Sequence, residues 1–220
     1  MEGTVNSQAL ILMTRVPVPG KTKTRLMPHL SAEECAGFHE ACLKDIIKVQ
    51  RELKKPANIF YSEKLTEKFM TMFPKESQFI SQEGDNLGER MSQAFRISLQ
   101  DYKFTLMVGS DLPHLTVRLL QSAFEALEQH DVVLGPALDG GYYLIGLKQF
   151  IPDLFTGITW GSSEVFRQTI ERVHSLGLSY RLLQTMQDLD TIEDLRVYMR
   201  NPANKDHQAW KYIDQLGGVK

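Results

Sequence analysis

Cysteine is scarce in this 220-residue chain, with only Cys35 and Cys42 present, so a disulfide-stapled scaffold is excluded. A chain of this length needs no staple, because folding buries roughly 70% of the surface that its unfolded form exposes. Long apolar runs are missing too: none approaches the roughly 20 residues that a membrane-spanning helix requires. The opening segment, Met1 to Gln8, is polar and lacks the charged stretch and apolar core of a signal peptide, which sets a reducing, cytoplasmic setting as the expectation. Nor is there a surplus of positive charge. A net charge of −2 argues against a general nucleic-acid binder, which displaces counterions with a basic excess. Repeats, low-complexity tracts and linkers are absent, so residues 1–220 read as one domain. With 42% hydrophobic and 24% charged residues, the chain has an ordinary globular composition and not that of a disordered one.

What is present is an alternation of short apolar runs with amphipathic stretches. Residues 9–14, 58–61, 78–81, 104–109 and 132–137 read as buried strands. Ser31 with Glu34 forms a capping box for a helix reaching about Leu53. Asn86 with Glu89 opens a second helix and Thr116 a third. Ser162 or Ser163 caps a helix over 164–176 that Gly177 closes, Thr191 with Asp194 opens another, and 206–215 reads as a last one. Strands alternating with helices predict an α/β fold: a mixed, mostly parallel sheet with helices on both faces. Only Leu138-Asp139-Gly140-Gly141 separates 132–137 from 142–147, too short for a crossover helix, so this pair is expected to be antiparallel or sharply bent. Ligands in such a sheet sit at the carboxyl ends of the parallel strands.

Four segments there carry chemistry. The first strand is followed by a loop in which Arg15, Lys21, Lys23 and Arg25 place four cations in eleven residues, a concentrated positive site suited to phosphates. Gly20-Lys21-Thr22 imitates a Walker A loop, but Arg15 stands where its first glycine belongs, and Pro17 and Pro19 have no N–H to offer. Asp111 ends the strand FTLMVG and is followed by Leu112-Pro113; a carboxylate there suits Mg²⁺ or Mn²⁺ bound with a substrate phosphate. Asp188 and Asp190 precede the Thr191 cap and are free for other work, a second metal ligand included. Asp139, before Gly140-Gly141-Tyr142, is a turn residue that also suits sugar hydroxyls or a general base. The plainer readings are a solvated basic loop, a turn cap at Asp111 and acidic residues favouring a helix N-terminus. Cys35, His39 and Cys42 share a helix face with Ile46 and Val49, which reads as a buried stripe. Trp160 and Phe155 read as core or lid, and Thr159 to Glu164 as a loop suited to an acceptor or a phosphate, with Glu164 a reserve base.

Together TRVPVPGKTKTRL, GDNLGERM, GSDLPHL, GPALDGGYYLIGL and DLDTIEDL resemble bacterial glycosyltransferase-A-like proteins of the nucleotide-diphospho-sugar transferase superfamily, including arsenosugar-biosynthesis glycosyltransferases. The resemblance runs from about residue 9 to 197. It implies a Rossmann-like mixed sheet, metal ligation by Asp111 and Asp190, and base recognition around Gln82, Gly84 and Gly88. The chain has Ser-Asp-Leu where many such transferases have Asp-x-Asp.

The leading expectation is a metal-dependent transferase that moves a sugar from a nucleotide-sugar to a small-molecule acceptor. Lys21, Arg25 and the metal on Asp111 and Asp190 would stabilise the leaving diphosphate, with Lys23 adding charge to the loop, and Asp139 or Glu164 would take the acceptor's proton. Gly140, Gly141 and Tyr142 bring backbone close to the substrate, and Arg15 adds charge. The alternatives are a nucleotidyltransferase that takes a nucleoside triphosphate and releases pyrophosphate, and a nucleotide-binding protein without turnover.

Overall fold

The structure, a computed structural model, describes residues 7–218; the polar opening at 1–6 and the last two residues lie outside the described residues. The strands are β1 (Gln8–Arg15), β2 (Ala57–Ser62), β3 (Gln78–Ser81), β4 (Phe104–Val108), β5 (Val132–Pro136), β6 (Tyr142–Leu147) and β7 (Tyr180–Leu182). They form one seven-stranded sheet in the order β3-β2-β1-β4-β6-β5-β7. Only β6 runs against its neighbours, pairing antiparallel with both β4 and β5, as the short 138–141 connection requires. All the other pairings are parallel.

The helices are α1 (Ala32–Leu53), α2 (Glu67–Met70), α3 (Leu87–Asp101), α4 (Val117–Gln129), α5 (Val165–Ser175), α6 (Ile192–Arg200) and α7 (Gln208–Gln215). Among the described residues, none is long and apolar enough to cross a membrane. The central strands β4, β5 and β6 are nearly continuous buried runs because both faces of the sheet are covered there. Leu10 and Leu12 of β1 pack into one core with Leu43 and Ile46 of α1 and Leu120 and Phe124 of α4. Ile11, between them, points to the opposite core, formed with Met91 and Phe95 of α3 and Val173 of α5. A third cluster buries Cys35, Phe38 and Cys42 of α1 against Leu195 of α6 and Ile213 of α7.

The capping boxes at Ser31/Glu34 and Thr191/Asp194 form as expected, and Asn86 and Thr116 cap α3 and α4. The serine cap of α5 does not form. Val165 is the first helical residue and Glu164 the N-cap, while the Ser162 hydroxyl accepts from the Glu164 N–H. The last helix starts later than expected, and its N-terminus is capped from a distance. The buried Asp45 carboxylate accepts from the N–H groups of Gln208 and Ala209 at 2.8 and 2.9 Å.

Asp45→Ala therefore removes both acceptors and should cost about 1–2 kcal/mol, the usual worth of a helix cap. Urea unfolding should show a lower midpoint with an unchanged slope; an unchanged midpoint would remove this cap from the account of how α7 is held.

Candidate active site

The chain lays down β1, β2 and β3 to one side and then returns to place β4 on the other side of β1. Ligands collect at such a reversal, outside the carboxyl ends of the strands. A cleft of about 690 Å³ opens there, lined by Arg15 at the end of β1, Asp111 after β4, and Asp188 and Asp190 before α6. Of the expected site residues, Arg15, Lys21, Lys23, Arg25, Gln82, Asp111, Tyr142 and Asp190 line it.

The basic loop divides into two parts. Lys21 and Arg25 are exposed cleft residues, and Arg25 reaches Asp190 at 3.4 Å with 64% of its side chain still accessible. Lys23 has turned inward. Its backbone is left-handed (φ 50°) and its side chain is 2% exposed. Nζ lies 2.5 Å from Asp111 and 3.4 Å from Asp190, and donates to the Leu189 carbonyl at 2.6 Å. Burial alone would lower its pKa, but the Asp111 and Asp190 carboxylates more than offset this and hold the ammonium charged. In this structure Lys23 is thus turned to the carboxylates and away from the open cleft.

Asp111, 40% exposed, would be raised by burial, but the adjacent Lys23 charge brings it below the usual range. Asp188 has the opposite balance. Burial and the charges of Asp111, Asp139 and Asp190 push its carboxyl up to about 7. Asp190 is raised as well, by burial first. The peptide links tighten the group, since the Leu189 N–H donates to the Asp111 carbonyl at 3.0 Å.

Three carboxylates from two loops, Asp111, Asp188 and Asp190, line one cleft and offer hard oxygen donors, so this donor set fits Mg²⁺ or Mn²⁺. Among the described residues no group of three such side chains already stands in a cation-holding arrangement, and Lys23 Nζ lies between Asp111 and Asp190.

Gln82 is clamped. Its amide nitrogen donates to the Thr14 and Phe60 carbonyls, both at 2.9 Å, which leaves its side-chain oxygen as an acceptor in the cleft wall. Arg90 enters the same wall with Nε held by the Gly84 carbonyl at 2.9 Å. The sequence reading passed over Arg90 as an ordinary helix residue. His39 also lines the cleft. Its Nε2 lies 3.1 Å from the Arg15 carbonyl oxygen, and burial lowers its pKa.

The remaining expected residues lie outside the lining. Gly88 carries the Trp160 indole against α3, where any Cβ would collide with it, so a packing demand accounts for this glycine. Gly84 is the turn whose carbonyl holds Arg90. Gly140, at φ 90°, lets the 138–141 turn pass against the Ser163 carbonyl. Asp139 spends an oxygen on the Gly141 N–H at 2.9 Å, the turn role, although its charge still reaches Asp188. Glu164 is ion-paired with Arg167 at 2.7 Å on the exposed start of α5. Tyr142 belongs to the lining, and its hydroxyl lies 3.9 Å from Met91 Sδ. The His114 ring lies tilted against Tyr198, with centroids 5.9 Å apart.

A mixed sheet reversing at β1 and β4, with cations and paired carboxylates at the reversal, defines a protein of the nucleotide-diphospho-sugar transferase fold class. A solved structure from Desulfovibrio desulfuricans G20, described as a candidate nucleotide-diphospho-sugar transferase, superposes with a TM-score of 0.90 at 30% identity over 96% of both chains. The chain belongs to the family DUF2064, described as an uncharacterized protein conserved in bacteria, whose model matches residues 46–162, more than half its length. It is also 23% identical over 208 residues to a 2-phospho-L-lactate guanylyltransferase from Methanobrevibacter ruminantium, covering 89% of this chain and 86% of that protein. Rv0371c from Mycobacterium tuberculosis H37Rv, solved in complex with manganese, shares the fold with a TM-score of 0.55 at 12% identity, over 87% of this chain and 97% of that one. These relatives group the chain with transferases that work on nucleotides.

The elevated Asp188 makes a stability prediction. In the folded protein it keeps its proton up to about pH 7, whereas an unfolded Asp loses it near ~3.9. The unfolded state therefore binds fewer protons in that window, and stability falls as pH rises from about 4 to about 7. Asp188→Asn should melt higher than the parent at pH 8 in metal-free buffer and equally at pH 4. Each kcal/mol relieved corresponds to about 2–4 °C for a chain of this size. A lower melting temperature for the variant at pH 8 contradicts the crowded-carboxylate reading.

Proposed function

We propose that the protein is a metal-assisted nucleotidyltransferase that joins the α-phosphate of a nucleoside triphosphate to a phosphorylated small-molecule acceptor. An acceptor phosphate oxygen attacks the α-phosphorus, the bond to the β-phosphate oxygen breaks, and pyrophosphate leaves with the electron pair. The observation that carries this reading is the balance of groups in the cleft. Arg15, Lys21, Arg25 and Arg90 bring cations to it, whereas the two bases expected for an acceptor hydroxyl are engaged elsewhere, Asp139 in its own turn and Glu164 with Arg167. A phosphate is already ionised at neutral pH and needs no base, so a cationic cleft without a committed base suits it. The guanylyltransferase relative, whose name pairs a guanylyl group with a phosphorylated acid, points the same way.

Lys21 and Arg25 would take the triphosphate, and Arg90 and Arg15 the acceptor side. The fixed side-chain oxygen of Gln82 would accept from the exocyclic or ring N–H of a base. When bound through Asp111 and Asp190, with Asp188 beside them, Mg²⁺ or Mn²⁺ would neutralise phosphate charge as it shifts to the leaving group.

A second reading is glycosyl transfer from a nucleotide-sugar, of which arsenosugar-type transfer is a finer form. The 30% identical Desulfovibrio relative favours it, and Asp188, near 7, is the group poised to accept a hydroxyl proton.

The product decides between them. Incubation with GTP, CTP, UTP and ATP plus phosphorylated hydroxy acids and Mg²⁺ or Mn²⁺ should release pyrophosphate. Nucleoside diphosphate from nucleotide-sugars, with no pyrophosphate from any triphosphate, would overturn the primary reading. Lys21→Ala combined with Arg25→Ala should lower kcat/KM by about 10²–10⁴-fold, since hydrogen bonds to charged groups are each worth about 1.5–3 kcal/mol. Asp139→Asn should stay within about twofold of the parent, because Asn serves the same turn.

A further inference from the structure

We propose that Lys23 is a built-in cation that holds the Asp111–Asp190 carboxylate pair against metal, and releases it when a nucleotide's phosphates offer the ammonium a new partner. The inference rests on the metal-assisted reading above and concerns what this chain's own lysine does toward that metal. Three observations support it. Nζ touches both carboxylates that would ligate the ion, at 2.5 and 3.4 Å, so the lysine and a divalent cation cannot keep these contacts together. The ammonium is nearly sealed from water and has further partners in the Leu189 carbonyl, at 2.6 Å, and the Phe38 ring, 5.9 Å to its centroid. Its backbone is left-handed, a conformation that non-glycine residues adopt at a cost, and it stands between the exposed Lys21 and Arg25 in the phosphate-facing loop. A small rotation of that loop would carry Nζ from the carboxylates toward a phosphate bound by its neighbours.

The arrangement makes metal and nucleotide cooperative. Metal alone competes with a positive charge already seated among its ligands. Nucleotide alone meets cations partly neutralised by aspartates. Bound together, they exchange partners: phosphate takes the lysine and metal takes the carboxylates. By linkage, each tightens the other by the same factor.

The test is Mn²⁺ binding to the full chain, followed by electron paramagnetic resonance of the free ion, with and without GTP, for the parent and for Lys23→Met. Methionine keeps the length and the packing on Phe38 but removes the charge. Without nucleotide, Lys23→Met should bind Mn²⁺ at least about tenfold more tightly than the parent, since a unit charge some 4 Å from the ion, even at an effective dielectric near 20, repels it by more than that. GTP should tighten Mn²⁺ binding in the parent beyond what GTP itself contributes in the variant. Circular dichroism of the variant guards against unfolding. The ¹⁵N-resolved lysine ammonium signals of the parent give a check that needs no variant: Mg²⁺ with GTP should shift the buried ammonium resonance and Mg²⁺ alone should not. Unchanged or weaker Mn²⁺ affinity in folded Lys23→Met overturns the role of Lys23 while leaving the metal-assisted reading standing. Absence of Mn²⁺ binding in both proteins, with and without GTP, overturns both.

Discussion

The buried ammonium of Lys23 is the interaction on which the site's geometry depends. It joins three segments that are distant in the chain: the loop after β1, the loop after β4, and the stretch before α6. Its bonds to Leu189 and Asp190 cross 166 and 167 positions of sequence. Without it, Asp111, Asp188 and Asp190 would face one another with no buried counter-charge, an arrangement that an interior of low dielectric strongly penalises. The backbone hydrogen bond from the Leu189 N–H to the Asp111 carbonyl adds a second tie between the same two loops. The acidic half of the cleft is therefore assembled around a cation that the protein supplies itself.

The fold was largely legible because its signals are local. Capping residues declared four helix starts, and apolar runs bounded by polar turns marked six of the seven strands. The seventh, β7, carries only Tyr180-Arg181-Leu182, of which Arg181 and Leu182 are exposed. An edge strand of three residues with little burial has neither a periodic pattern nor an apolar run to reveal it. The α5 start was misplaced for a related reason. Two serines in succession look like caps, but the loop meets the helix through Gly161 and a Ser162 side chain turned onto the Thr159 carbonyl.

The site was less legible because charge has no period. The sequence identifies Lys21, Lys23 and Arg25 as one basic loop, and nothing local says that the middle one points inward. That depends on a left-handed residue and on two aspartates far along the chain. Gly88 shows the converse. The resemblance implied a part in base recognition, but the close approach to Gly88 is by Trp160, a residue 72 positions later. Glycine announces proximity without saying to what. Arg90 escaped notice because an arginine on a helix usually faces solvent, and only the Gly84 turn folds its side chain into the cleft wall.

The long-range cap on α7 also bears on how the chain folds during synthesis. Asp45 belongs to the first long helix, but the two N–H groups it serves come from Gln208 and Ala209, 163 and 164 positions later in the chain. Until they emerge, α1 carries a carboxylate prepared for burial and an apolar stripe of Cys35, Phe38 and Cys42 with no cover from α6 or α7. The sheet can collapse on the other side of α1 long before that stripe is closed. A nascent chain stalled ahead of α7 would thus present a sticky helix face next to a finished core, the kind of surface that chaperones bind.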